Sequence, residues 1–375
     1  MKFASKMMKM VVIALALSYV FVGAISVEAK NIGINETNFP DPYFIQFVEL
    51  KYDKNKDGLL SDKERNAVKK LDIGSGSEYR KTLKFPSPGT LEGIEYFPEL
   101  KTLICEYNDL SSLDVSKNNK LEELHCDHNK LEKLDVHQNK KLKILWCDSN
   151  NLKTLDVSQN RELKELWCGR NQISKIKLNK KIETLELSYN QCNTLNVKNL
   201  KNLDFLSCDS NEIKKLDVSK NKKLEYLHCG FNKLKKLDVT HNPRLTSLYC
   251  SNNKLRRLDL SNNKRLNELN FRDNYMITGN LGVPFTQMSG FTYIPDGAAT
   301  SKQRAVIKPK KIGKYYYIPL SSLKRTRGIT KLSAGVLTEK GIRLKKGKIP
   351  EKITYKYNMF TNGKKLTKVE IQVKK

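Results

Sequence analysis

The sequence predicts an α/β-type repeat solenoid with a parallel β-sheet on its concave face, a small helical cap before it and an all-β domain after it. Three observations carry that prediction. Cysteines recur every 21 residues at Cys105, Cys126, Cys147 and Cys168, and again at Cys208, Cys229 and Cys250. The stretch "DKNKDGLLSDKE" at 53–64 stands just before the repeats. After residue 302 the chain turns to short alternating apolar runs between Gly, Pro and Asn.

The N-terminus comes first. Lys2, Lys6 and Lys9 precede an uncharged apolar run at 11–26, and small residues follow at Val27 and Ala29. This is the order of a secretory signal, with cleavage expected after Ala29, so 1–29 is read as a signal peptide. An uncleaved anchor is the alternative, but the run is short for a membrane span. No other apolar stretch is long enough to cross a bilayer. Residues 30–375 are then expected outside the cell, enough chain for two or three domains.

Residues 30–70 read as a helical, EF-hand-like cap. Asp53, Asn55 and Asp57 fall at positions 1, 3 and 5 of a calcium loop, Gly58 at 6, Leu59 at 7, Ser61 at 9 and Glu64 at 12. Hard Ca²⁺ takes oxygen donors; Gly58 permits the sharp turn, Leu59 offers its carbonyl and Glu64 closes the shell with both oxygens. One structural Ca²⁺ is expected, held weakly at ~10⁻⁴–10⁻³ M as in extracellular modules. Helices are expected on both sides: "DPYFIQFVELKY" gathers Phe44, Phe47, Val48 and Tyr52 on one face, and Ser61 with Glu64 opens "SDKERNAVKKL" as a capping box.

The solenoid is expected over 71–274. Leu187 takes the place of the missing cysteine after 19 residues, because "KLNKKIE" lacks the Ser-x-Asn found elsewhere, and Phe271 ends the series. Nine rungs share the frame L-x-C-x-x-N-x-L-x-x-L-D-V-S-x-N-x-x-L-x-x. A period near twenty with this leucine and asparagine spacing is the signature of a leucine-rich-repeat solenoid. Leu and Cys of each L-x-C alternate inward on a short strand, and coils stack because none can bury its apolar edge alone. The asparagines from Asn108 to Asn253 are placed at the bend after each strand, where an amide satisfies backbone groups that the turn leaves unpaired.

An even number of cysteines (eight) in an exported chain otherwise suggests disulfides. Stacked strands, however, carry their Cβ atoms in parallel, a poor geometry for bridging. Reduced core thiols are therefore the expectation, with disulfides or a bound metal as alternatives. Cys192 occupies a leucine position after the asparagine, again a core slot.

The frame over 91–274 resembles the cysteine-ladder repeats of internalin J and related leucine-rich-repeat surface proteins of Gram-positive bacteria. That resemblance implies a secreted or surface protein that binds other molecules and does not catalyse. Single calcium loops ahead of the repeats are similar to those of other secreted leucine-rich-repeat proteins.

On each strand the residues at −1, +1 and +3 from the inward leucine are expected to face outward. Those 27 positions hold eight acids and one base, in a chain with 69 Lys and Arg, 40 Asp and Glu and a net charge of +29. Asp127, Asp148 and Asp209 are among the acids, and such stacked like charges raise one another's pKa. Both tryptophans of the chain, Trp146 and Trp167, lie side by side here after His125. A second aromatic group comprises Phe205, Tyr226 and Tyr249, with His228 beside it. Rings and acids together point to a docked protein, or a glycan with apolar sugar faces. Nucleic acid is not expected on this face, since its phosphates would meet carboxylates.

Residues 275–302 read as a linker or C-terminal cap, since "NYMITGNLGVPF" drops the leucine–asparagine spacing. Residues 303–375 read as a basic all-β domain, with a hairpin expected around Asn362-Gly363. Over 301–375 there are 22 Lys and Arg against Glu339, Glu351 and Glu370. A charge so lopsided suggests non-covalent association with an anionic cell-wall polymer, or nucleic acid as the alternative partner of basic, tyrosine-bearing strands. No nucleophile constellation is present in the sequence, so a binding protein is favoured over a glycan-active enzyme.

Overall fold

The computed structural model describes residues 31–77, 86–271 and 273–274, and beyond them the backbone of strands between Gln303 and Val373. The expected signal segment, the 275–302 linker and Arg272 lie outside the described residues. Among those described, no helix is long and apolar enough to cross a membrane.

Two short helices precede the sheet. Helix α1, Pro42–Tyr52, starts at Asp41, whose carboxylate accepts hydrogen bonds from Tyr43 N at 2.9 Å and Phe44 N at 3.0 Å. Its other oxygen accepts from Gly89 N at 2.8 Å, tying the cap to the chain ahead of the first full coil. Helix α2, Asp62–Ala67, carries the Ser61–Glu64 capping box. Strands β1, Ile32–Gly33, and β2, Leu59–Leu60, pair antiparallel across the calcium-type loop. Phe39, Phe44, Phe47, Tyr52 and Phe97 then pack as one aromatic cluster, Phe39 edge-on to Phe44 with centroids 5.6 Å apart and Tyr52 tilted against Phe97 at 5.5 Å. Cap and solenoid thus share one core.

The second helix is shorter than the sequence suggests. Leu71 is the first inward leucine of the sheet, so the chain leaves the helix and enters strand β3, Lys70–Asp72. Nine further strands follow in this sheet: β4 (Thr102–Ile104), β5 (Glu123–His125), β6 (Ile144–Trp146), β8 (Glu165–Trp167), β10 (Thr184–Glu186), β11 (Phe205–Ser207), β12 (Tyr226–His228), β13 (Ser247–Tyr249) and β14 (Glu268–Asn270). All ten pair in parallel, leucine to leucine, from Leu71 beside Leu103 to Leu248 beside Leu269. Across the coil, β7 (Thr154–Asp156) and β9 (Lys175–Lys177) form a separate parallel pair. Strand β9 lies in the 19-residue coil and pairs with β7 at the full 21-residue offset, Leu155 beside Ile176.

Two asparagine ladders close the turns. In the first, Asn129 Nδ2 donates to the carbonyls of Cys105 at 2.9 Å and Cys126 at 3.1 Å, and its Oδ1 accepts from Leu110 N at 3.1 Å. The pattern repeats through Asn274, so each amide staples one coil to its predecessor. A second ladder belongs to the Ser-x-Asn positions Asn118, Asn139, Asn160, Asn221, Asn242 and Asn263, all fully buried. There Asn139 Nδ2 reaches Val115 O at 2.9 Å and Asn118 O at 3.1 Å.

The leucines and cysteines of the frame are buried, each large aliphatic side chain contributing roughly 1.5–3 kcal/mol. All eight cysteines are free and buried. Burial pushes their thiols up, Cys192 to about 11 and Cys250 to about 12. On the flanks, lysines pair with acids 21 residues away, as in Lys143–Glu122 at 2.6 Å, Lys130–Asp109 at 2.7 Å and Lys177–Asp156 at 2.8 Å. These exposed pairs are each worth at most ~1 kcal/mol.

Beyond residue 302 the backbone forms two four-stranded sheets. Strands β21 (Lys352–Asn358) and β22 (Leu366–Val373) are the expected hairpin, paired from Asn358 with Leu366 to Lys352 with Gln372. The turn expected at Asn362-Gly363 lies outside the described residues. Strand β15 (Gln303–Ile307) adds to β22 in parallel, and β16 (Lys310–Ile312), β17 (Tyr315–Pro319), β20 (Gly341–Leu344) and β19 (Val336–Thr338) make the other sheet.

Candidate functional site

The sheet face carries a continuous row of rings. His125 stacks on Trp146 with centroids 4.2 Å apart and planes at 19°. Trp146 and Trp167 follow at 6.0 Å, and Trp167 lies parallel to Phe205 at 6.3 Å and 12°. Phe205 then touches Tyr226 and His228, each at 6.0 Å, and His228 meets Tyr249 edge-on at 4.5 Å. The sequence suggested two separate groups. They join because Phe205 reaches diagonally across the small-residue coil of Thr184 to lie against Trp167. Trp167 and Tyr226 are the most open, at 37% and 43%. Trp146 is half-buried, and its Nε1 donates to Glu165 at 2.9 Å.

The +3 column lies on the same open face, where Asp127, Asp148 and Asp209 are partly buried. Asp148 accepts from Gly169 N at 2.7 Å, and Asp209 accepts from Gly230 N in the same relation. Gly169, Gly230, Ser188 and Ser251 of that column are buried. Burial pushes the Asp148 carboxyl up to about 7, with Glu186 and Asp127 adding to the rise against the Gly169 hydrogen bond. Asp209 rises to about 6, again mainly through burial, with Glu186 adding. Like-charge neighbours therefore contribute as the sequence suggested, but desolvation is the larger cause. Asp127 sits 2.9 Å from His128 Nδ1.

One column escaped the sequence reading. Tyr107, His128, Ser149, Arg170, Tyr189, Ser210, Phe231, Asn252 and Asp273 all hold φ between 50° and 56°, the left-handed region that non-glycine residues seldom enter. This backbone swings their side chains out beside the sheet. Tyr107, Tyr189 and Phe231 are 51%, 54% and 58% exposed. Tyr107 stacks on His128 at 3.9 Å, and the Arg170 guanidinium lies 4.8 Å over the Tyr189 ring. The signal was available: none of the nine is β-branched, the side-chain type least compatible with positive φ.

A pocket of about 530 Å³ opens on the sheet where Trp146 and Trp167 face Asp148, Glu186, Asp209 and Tyr189. It lies over Gly169, Ser188 and Ser207, whose small side chains leave the space unfilled. No family model and no curated protein matches this chain.

The fold is that of the leucine-rich repeats. Among solved structures, a leucine-rich-repeat protein of Leptospira interrogans is 27% identical, with a TM-score of 0.50, over 58% of this chain and 56% of that one. This chain thus spans little more than half of that relative. The functional domain of InlJ from Listeria monocytogenes, which includes a cysteine ladder, is 20% identical at a TM-score of 0.36, covering 92% of this chain and 99% of that one. An internalin C2 from Listeria monocytogenes is 20% identical at a TM-score of 0.47, over 64% of this chain and 96% of that one.

Ahead of the leucine-rich repeats, the calcium-type loop has the donors a hard cation needs. Gly58 takes φ 75°, the turn that position 6 requires. Asp53 accepts from Gly58 N at 2.9 Å and Asp57 from Leu59 N at 2.9 Å, which fixes both carboxylates toward the loop. Asn55 Nδ2 donates to Asp57 at 2.8 Å. Glu64 accepts from Lys54 N at 2.8 Å and from Ser61 N at 2.9 Å. Desolvation is the largest single influence on the Glu64 carboxyl and raises it, but hydrogen bonds from Ser61, Lys54 and Asn55 together outweigh it and hold the group below the usual range. Among the described residues no three His, Cys, Asp or Glu side chains converge as a metal cluster. A cation here would draw as well on Asn55, the Leu59 carbonyl and Ser61.

Proposed function

We propose that this chain is a secreted or cell-surface-associated, adhesin-like protein that captures a protein ligand on the sheet face of its leucine-rich repeats. The observation that carries the reading is the row of rings from His125 to Tyr249, laid across consecutive coils and interleaved with acids. Large rings fixed by stacking lose little entropy on docking, and such residues dominate binding energy where partners meet. The exposed left-handed column widens the same surface by Tyr107, Tyr189 and Phe231. Export follows from the charged, apolar and small-residue order of the first 29 residues. The 53–64 loop holds one Ca²⁺ that stiffens the cap, and the basic strands after residue 302 retain the protein on an anionic envelope polymer.

Capture of partners from envelope or host-surface extracts by the full chain, compared with the Trp146→Ala/Trp167→Ala variant, tests the reading. Retained capture by a folded double variant overturns it.

A further inference from the structure

The pocket on the sheet face is built at the 19-residue coil, and its chemistry is more specific than that of the surface around it. Gly169, Ser188 and Ser207 make the floor, Trp146 and Trp167 one wall, and Tyr189 the rim. Its volume of about 530 Å³ suits a compact group on a stem.

Charge around this floor is uncompensated. Flank acids such as Glu122, Asp109 and Asp156 each meet a lysine. Among the described residues, no lysine or arginine forms an ion pair with Asp148, Glu186 or Asp209, although bases outnumber acids 69 to 40 in the chain. Backbone N–H groups hold these carboxylates instead: Gly169 for Asp148, Ser188 for Glu186 at 2.8 Å, and Gly230 for Asp209. A Cβ on Gly169 would stand 3.0 Å from both Asp148 Oδ1 and Glu186 Oε1, so the two carboxylates converge over one backbone atom. Arg170 also lines the pocket, but it forms no ion pair with these carboxylates; its guanidinium lies 4.8 Å over the Tyr189 ring.

We propose that this pocket receives a cationic side chain, the ammonium of a lysine or the guanidinium of an arginine, presented by the polypeptide that docks on the sheet face. The proposal rests on the reading of that face as a protein-binding surface and names what the partner must carry. Converging, partly desolvated carboxylates favour a cation over any neutral group, and charge-assisted hydrogen bonds to them are the strong kind. The indole faces of Trp146 and Trp167 attract the same charge and cover its aliphatic stem.

Both tryptophans of the chain line this pocket, so intrinsic fluorescence reports it selectively. The full chain is titrated with acetyl-Gly-Lys-Gly-amide, acetyl-Gly-Arg-Gly-amide and, as the neutral control, acetyl-Gly-Gln-Gly-amide. Saturable change is expected with the lysine or arginine peptide and not with the glutamine peptide. In Asp148→Asn/Glu186→Gln the response weakens about tenfold or more. Asn and Gln still accept from Gly169 and Ser188, and circular dichroism checks the fold; should the double variant not fold, Glu186→Gln alone is read in the same way. An equal response to the glutamine peptide, no response to either cationic peptide, or an undiminished response in the folded variant overturns the proposal. A partner captured equally by wild type and the acid variant, yet lost by Trp146→Ala/Trp167→Ala, leaves the binding face standing and removes only the cation pocket.

Discussion

Asp148 accepts a hydrogen bond from the backbone N–H of Gly169 at 2.7 Å, and its Oδ1 lies so close that a Cβ on that glycine would meet it at 3.0 Å. The relation recurs between Asp209 and Gly230. It couples an acid of one coil to a glycine of the next, 21 residues on, and buries the acid in doing so.

That burial makes stability depend on pH in an unusual direction. In the unfolded chain Asp148 and Asp209 titrate near 3.9, whereas in the fold they stand at about 7 and about 6. Between those values the folded state binds protons that the unfolded state has released, so their contribution to stability falls as pH rises. Flank carboxylates run the other way, but Glu122, held at about 2 by hydrogen bonds from Lys143 and Lys101, has made its full contribution above about pH 5. Urea midpoints measured from about pH 5 to 7 should therefore decline less steeply in Asp148→Asn than in the wild type, since Asp209 alone of the two remains. Identical profiles for the two proteins would contradict the assignment.

The left-handed column predicts a side-chain-specific effect on folding. Ser210 holds φ 54°. Ser210→Val should destabilise by ~1–2 kcal/mol or more, since a β-branched residue is least tolerant of that backbone, while Ser210→Gly should be neutral or stabilising. Chemical denaturation of the three proteins reads this directly, and equal midpoints for Val and Gly would refute it.

The buried ladder of thiols predicts kinetic silence. With all eight cysteines free and buried, and their pKa values raised by burial, a thiol reagent should label few sites in the native protein and all eight after denaturation. Rapid labelling without denaturant would show that the core is open.

The loop at 53–64 predicts a calcium-dependent cap. Glu64→Gln keeps the capping box, because Gln serves at that position as Glu does, but loses the charge that binds a hard cation. Millimolar Ca²⁺ should raise the melting temperature of the wild type and leave that of Glu64→Gln unmoved. A calcium response of equal size in both would remove Glu64 from the site.

Much of this was legible in the sequence for a simple reason. A 21-residue period repeats one decision many times, so the inward Leu and Cys columns, the first asparagine ladder and the 19-residue coil all emerge from counting. The capping box of the second helix was equally plain, because Ser61 and Glu64 act on neighbours in the chain. What stayed hidden depends on contacts between coils. Strand β3 was lost because Leu71 lacks the rest of the frame, and the second asparagine ladder because its partners lie 21 and 24 residues back. The pocket required knowing that Gly169 lies beside Asp148, and that Phe205 crosses one coil to reach Trp167.

The 19-residue coil has a further meaning. Although it is two residues short, Leu185 still pairs in register with Leu166 and Leu206, and the shortfall falls away from the sheet, in the turn after β9. The ring-bearing surface is thus a grid of constant pitch, ~4.8 Å from one strand to the next. Insertions and deletions are absorbed on the far side of the molecule, and recognition can be rewritten one grid point at a time without moving the points around it.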